Sequence, residues 1–335
     1  MFGSDNQTGA HTYVMVAINT ANQGRAPSYG SDEITVRAER LVKQTFETDD
    51  LDFYIVTSGS AANGLALASL CPRHGAVLCH SHAHIIADEG NGPEWFTGGA
   101  RLIGVGQGNE KLQPRHLQAA TTTYPKEFVH GPQIAAVSFT NLDENGQNYH
   151  PEEIKALAEI ANANGWLLHC DGARFANAVI GTGASPAELS WKSGVDALSF
   201  GLTKNGALMA ESFILFGDAR KSAAKYLRKS TGQLISKHRF LAAQFVAMLE
   251  GKLWRELALH ANQMALALGA RFRALGIEII GEIGGNEVFA KLPPEKAKEL
   301  QARGISCYVW PPLGENVYRF VCSYATLDDD IAAIR

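Results

Sequence analysis

The chain has 335 residues, 46% hydrophobic and 19% charged, with a formal net charge of -4, enough for one large core plus a smaller second domain. The mild acidity offers no long-range attraction to nucleic acid or anionic membranes, so a small-molecule partner is expected, and no apolar run approaches the roughly 20 residues that span a bilayer. Met1–Ala10 is polar and contains Asp5, unlike a signal peptide, and the five cysteines (Cys71, Cys79, Cys170, Cys307, Cys322) form no CxxC pair, which fits reduced, buried thiols in the cytoplasm.

In chain order, Asp52–Thr57 reads as a strand, and Ser58-Gly59-Ser60 leads into a helix over Ala61–Leu70. His80-Ser81-His82-Ala83-His84 places three histidines at alternate positions; on a strand they would share one face, as zinc ligands can. Gln133–Phe139 is a further apolar strand. Pro151 opens a helix through Asn164, because proline at the first turn gives up an N–H that would be unpaired anyway. Trp166–Cys170 and Val195–Phe200 are two more buried strands. Strands alternating with helices imply a mainly parallel sheet covered on both faces. After Asp218 the pattern changes to long helical stretches, Ala219–Leu249 and Leu253–Leu275. Strands follow at Ile277–Ile280, Glu287–Leu292, Ser306–Val309 and Val317–Val321. This reading divides the chain into a large domain over 1–248 and a small C-terminal α/β domain over 249–335. Leu327–Arg335 reads as a helix cut short, so the natural chain is expected to run on.

Open α/β sheets bind ligands beyond the carboxyl ends of their strands. Three segments put reactive residues there: Asp171 after one strand, Lys204 after another, and Ser58-Gly59-Ser60 at a helix start, where free N–H groups and the helix dipole favour phosphate. Pyridoxal 5'-phosphate needs a Schiff-base lysine, an acid partner for its ring nitrogen and a phosphate cradle. Each signal alone is bland. A lysine after a strand is usually solvated, a strand-end aspartate often caps a helix, and Ser-Gly-Ser lacks the Gly-Lys-Ser/Thr of a P-loop. Together and in this order they are specific. The rival from another class is a metal-dependent hydrolase using His80, His82 and His84, with Asp88 as the nearby carboxylate.

Several segments resemble the threonine aldolase family (aromatic amino acid β-eliminating lyase/threonine aldolase), closest to the bacterial low-specificity L-threonine aldolase and phenylserine aldolase branch. They are Gly3-Ser4-Asp5-Asn6, Ser58-Gly59-Ser60-Ala61-Ala62-Asn63, Ala83-His84, His169-Cys170-Asp171-Gly172-Ala173-Arg174-Phe175, Ser199-Phe200-Gly201-Leu202-Thr203-Lys204-Asn205-Gly206 and Tyr318-Arg319-Phe320-Val321-Cys322-Ser323. Ser185–Lys192 matches as well. The resemblance implies an aspartate aminotransferase-like (fold type I) large domain with a mainly parallel seven-stranded sheet and a small α/β domain. It implies pyridoxal 5'-phosphate on Lys204, with Asp171 at the ring nitrogen, His84 stacked on the ring and Gly59 and Ser60 at the phosphate. Lys237 matches a basic phosphate contact that can reach a neighbouring subunit. Arg174 and Arg319 would grip the substrate carboxylate, with Ser4, Tyr29 and Asp88 around the substrate. His84 or His130 would take the β-hydroxyl proton. The implied reaction is retro-aldol cleavage of threonine, allo-threonine or phenylserine to glycine and an aldehyde, with β-elimination as the alternative. The implied assembly is a cytoplasmic homotetramer, a dimer of dimers with shared sites. Leu202 and Asn141-Leu142-Asp143-Glu144-Asn145 depart from the family's commoner pattern and leave substrate preference open.

Overall fold

The structure is a computed structural model that describes residues 2–335. Its main sheet has seven strands: β1 (Leu51–Val56), β2 (Gly75–His80), β3 (Arg101–Val105), β4 (Gln133–Thr140), β5 (Leu167–Gly172), β6 (Ala197–Gly201) and β7 (Glu211–Phe216), in the order β1-β7-β6-β5-β4-β2-β3. Only β7 runs against its neighbours β1 and β6; the other pairings are parallel. Successive side chains leave opposite faces of a strand, and β7 shows this directly. Phe213 and Leu215 enter one apolar cluster, whereas Ile214 and Phe216 enter another across the sheet. A sheet covered on both faces must carry near-continuous apolar runs, and β2, β6 and β7 are buried at every position. All five cysteines are free and buried.

Several expectations need correction. The apolar runs single out four of the seven strands and pass over β2, β3 and β7. The first helix after β1 starts at Gly59 rather than Ala61, because Ser58 caps it by accepting the Ala61 N–H. The stretch Ala219–Leu249 is not one helix. A short turn over Gly217–Lys221 and a helix over Ala224–Ser230 are followed by irregular chain, and the helix resumes over Arg239–Leu249. Gly232, at φ 76° just past the first piece, takes the left-handed conformation that terminates helices. The three histidines share no strand face, since β2 ends at His80, the chain turns, and His84 opens the short helix His84–Ala87. Among the described residues no three His, Cys, Asp or Glu side chains are placed to hold a metal ion.

A second, antiparallel sheet of β8 (Glu278–Ile279), β9 (Glu287–Lys291), β10 (Tyr308–Val309) and β11 (Val317–Val321) follows, in the order β10-β11-β9-β8. The helix Leu253–Ala274 packs Leu268 and Phe272 against Val288 and Phe320 of this sheet. Phe2 joins the same cluster, and its carbonyl accepts the Val321 N–H at 2.8 Å. That contact carries Ser4–Asn6 to the mouth between the two sheets. The last helix is limited to Asp328–Ala332. No helix among the described residues is long and apolar enough to cross a membrane.

Candidate active site

A cavity of about 880 Å³ opens beyond the carboxyl ends of the parallel strands, where the main sheet meets β10 and β11. Ser4, Gly59, Ser60, His84, Asp88, Asp171, Arg174, Lys204 and Arg319 all line it. Tyr29, His130 and Lys237 do not. Tyr29 sits under Lys229, whose Nζ is 4.6 Å from its ring; His130 lies edge-on to Phe128 in an exposed loop; Lys237 is exposed before the helix Arg239–Leu249.

Strand ends aim the reactive groups. Asp171, at the end of β5, is buried and accepts hydrogen bonds from Asn63 Nδ2 at 2.8 Å and from the Ala173 N–H at 3.0 Å. Lys204 follows β6, beside the buried carboxyl of Glu211, which accepts the Thr203 N–H. Burial raises the Glu211 carboxyl pKa, and hydrogen bonds from Thr203 and the Lys204 charge oppose that rise. Ser58 uses its hydroxyl on Ala61, so the N–H groups of Gly59 and Ser60 keep the free character of a helix start. A Cβ built at Gly59 would meet one atom within 4 Å, Glu211 Oε2 at 3.9 Å, so the approach to that backbone is open.

A chain of buried polar contacts runs behind these groups. Asn63 Nδ2 donates to Asp171 and also to Glu89 Oε1, each at 2.8 Å, and Glu89 Oε1 lies 2.8 Å from His84 Nδ1. The Glu89 side chain is fully buried, whereas His84 remains 43% exposed on the cavity side. The hydrogen bond to Glu89 raises the His84 pKa, against the opposing effect of burial. An ionised carboxylate can only accept, so Nδ1 carries a proton and Nε2 is the free base of the neutral ring. Glu144 accepts the His84 backbone N–H and the Thr140 hydroxyl, both at 2.8 Å, and burial raises its carboxyl pKa.

The two arginines differ. Arg174 spends Nε and Nη2 on Asp5, at 2.8 and 3.1 Å. Burial pushes the Asp5 pKa upward, but the charges of Arg174 and Lys204 and the bonds from Arg174 and Asn286 leave it below the usual carboxylate range. Arg319 lies 3.6 Å from Glu287 and over the Trp310 ring, while Arg174 approaches the same Glu287 oxygen at 3.5 Å.

Sequence reasoning passed over Asp5, Asn63, Glu89, Glu144, Glu211 and Glu287. Asp5 and Asn63 lie inside segments that carry the family resemblance, and Glu89 adjoins Asp88, so those three were within reach. Glu211 and Glu287 begin apolar strands, and a charge opening a buried run is itself a signal of pairing. An anion cradle, a lysine and a buried carboxylate lining one cavity are the donor set that pyridoxal phosphate requires.

A family model described as Beta-eliminating lyase matches residues 2–293. The chain is 38% identical over 335 residues to a low specificity L-threonine aldolase of Pseudomonas aeruginosa, spanning 100% of this chain and 94% of that protein. It is similar to the solved threonine aldolase of Leishmania major, with a TM-score of 0.92 and 26% identity over 99% of this chain and 96% of that one. An aspartate aminotransferase variant of Thermus thermophilus shares the fold, with a TM-score of 0.68 and 16% identity over 98% of this chain and 92% of that chain.

Proposed function

The chain belongs to the Beta-eliminating lyase family, and from that premise we propose that it cleaves L-β-hydroxy-α-amino acids to glycine and an aldehyde. It is a carbon–carbon lyase that works with pyridoxal 5'-phosphate. The observation that carries the aldol reading is His84: an imidazole open to the cavity, its Nδ1 held by the buried Glu89. β-Elimination needs no base for a hydroxyl proton, whereas aldol cleavage does.

When bound, the cofactor supplies an electron sink for the bond broken at the substrate Cα. Lys204 would hold it covalently, Gly59 and Ser60 would bind its phosphate, and Asp171 would keep its ring nitrogen protonated. The protein's own part is orientation and proton control. Arg319 and Arg174, with Ser4, face the substrate carboxylate and so fix which bond at Cα stands across the ring. His84 Nε2 accepts the β-hydroxyl proton, and Glu89 stabilises the imidazolium that results. Asp88 lies on the same wall and can orient the hydroxyl. Threonine, allo-threonine and phenylserine all fit this scheme. The rim formed by Leu208, Met209, Tyr308 and Val309 offers apolar surface to a β-methyl or β-phenyl group.

We also propose a homotetramer with shared sites, in which Lys237 reaches a phosphate held by a neighbouring subunit.

The experiment is borohydride reduction of the yellow holoenzyme followed by peptide mass mapping, with product analysis on threonine and phenylserine. The expected result is cofactor mass on the Lys204 peptide and release of glycine with acetaldehyde or benzaldehyde. Pyruvate or another 2-oxo acid plus ammonia would instead establish the eliminating reaction, and a protein that takes up no cofactor would sink both.

The Glu89 contact makes a pH prediction. Because His84 is held above its ordinary value, its base form is lost on the acid side at a higher pH than for a free imidazole. Glu89→Gln removes the charge that favours the imidazolium, so the acid limb of kcat/KM should move to lower pH. The plateau should fall about 10–100-fold, less than the roughly 10²–10⁴-fold of a whole proton-transfer group, because the imidazole itself remains. A limb that stays in place would show that His84 is not the titrating base.

A further inference from the structure

We propose that Trp310, pinned by Asn145, is a positioning residue that holds the Arg319 guanidinium by its face and so sets the preference for ligands bearing a carboxylate; this rests on the cavity being the amino-acid site. Arg319 lies in the middle of β11, paired with Tyr308 of β10, and Trp310 follows that strand directly. The Trp310 backbone N–H donates to the Val317 carbonyl at 2.7 Å, which carries the β10–β11 pairing one residue further and fixes the backbone that bears the indole. The guanidinium carbon of Arg319 sits 4.5 Å from the centre of the Trp310 ring. Its other neighbour, Glu287, is 3.6 Å away, too far for a strong hydrogen bond, and its Nε is buried without a hydrogen-bond partner among the described residues.

The contrast with Arg174 is the reason this matters. Asp5 orients Arg174 by occupying its Nε edge, which leaves only part of the guanidinium for another carboxylate. A ring face orients a guanidinium through its π cloud and leaves the N–H edge unused. Arg319 is therefore the arginine whose fork is both fixed in plane and available for a carboxylate.

Trp310 is itself tied down. Its indole N–H donates to Asn145 Oδ1 at 3.1 Å, and the Asn145 N–H donates to Asp143 Oδ1 at 3.0 Å. The neighbouring Glu144 in the same loop holds the His84 backbone. The segment Asn141–Asn145 thus joins the carboxylate grip to the proton-transfer histidine. A change in this loop reaches both ends of the substrate.

The test uses holoenzyme, with glycine and glycinamide as probes, each titrated by the change in the visible spectrum. Neither probe has a side chain, so direct contact of Trp310 with a β-substituent cannot enter. Trp310→Ala should weaken glycine binding about 10-fold, the scale of a partly desolvated cation–π contact, and should leave glycinamide within about 2-fold. Trp310→Phe keeps a ring face and should recover most of the glycine affinity. Asn145→Ala frees the indole and should lie between. With threonine, KM should rise in parallel while kcat changes little, as expected for loss of binding shared by ground and transition states. An unchanged ratio of glycine to glycinamide affinity in Trp310→Ala, or equal loss of both probes, overturns the proposal. If Trp310→Ala does not fold, an unchanged ratio in Asn145→Ala overturns it in the same way. If wild-type holoenzyme shows no spectral response to glycine, the amino-acid reading itself has failed; a wild-type response with an unaltered variant ratio overturns the clamp alone.

Discussion

Lys204→Ala should lower the rate of aldol cleavage by about three orders of magnitude or more, since it removes the amine proposed to hold the cofactor covalently. A loss of that size corresponds to about 4 kcal/mol of barrier. The side chain projects from the turn after β6 into the cavity, next to Glu211. The turn itself is held by the Asn205 amide on the Trp254 carbonyl, at 2.7 Å, and by the Leu202 N–H on the Ala210 carbonyl, at 2.9 Å. Those contacts involve no atom of the lysine side chain, so the variant should fold and melt within a few degrees of wild type. Two readings check it: single-turnover product formation, and the absence of cofactor mass on residue 204 after borohydride. A variant retaining a tenth or more of wild-type turnover would move the covalent role elsewhere.

Asp171→Asn should lower kcat about 10²–10⁴-fold, the usual scale for a group that controls one proton in the reaction, while cofactor affinity falls far less. The carboxylate receives the Asn63 amide on Oδ2 and the Ala173 N–H on Oδ1. Both contacts leave its remaining lone pairs to the cavity. The amide that replaces it is neutral and turns a donor toward the Asn63 amide or toward the Ala173 N–H, both of them donors themselves. Either orientation removes the charge that would keep the cofactor's ring nitrogen protonated. The phosphate cradle and Lys204 are untouched, so cofactor titration of the variant should still saturate. The distinguishing measurement is kcat with saturating cofactor. A loss that disappears as cofactor is raised would assign Asp171 to binding alone.

Both arguments depend on where a strand ends, and strand ends were the legible part of this chain. The apolar runs before Asp171 and before Lys204 are short and bounded by polar turns, so their outlets could be placed within about two residues, the ordinary error at element ends. β2, β3 and β7 were passed over for a related reason. An apolar run of five or six residues has no period that separates it from a helix segment or a loop. The stretch over Ala219–Leu249 was misread as one helix because its composition is helical on both sides of Gly232, and the glycine's left-handed conformation is a property of the folded turn.

What the sequence determined by itself is the layered α/β architecture, with Asp171 and Lys204 at the ends of two strands and Ser58-Gly59-Ser60 leading into a helix. Those follow from local periodicity and from the residue types that a phosphate and a ring nitrogen demand, whereas the roles proposed for Arg174 and His84 come from the resemblance to the family. What only the tertiary structure decided is how those groups are held. The partners are far apart in the chain: Asp5 meets Arg174, Glu287 lies between Arg174 and Arg319, Asn63 joins Glu89 to Asp171, and Asn145 pins Trp310. No local pattern encodes such pairs. Burying a charge is tolerable only when a counter-charge or donor arrives from elsewhere in the fold, so the identity of each partner is set when the two sheets close on the cavity.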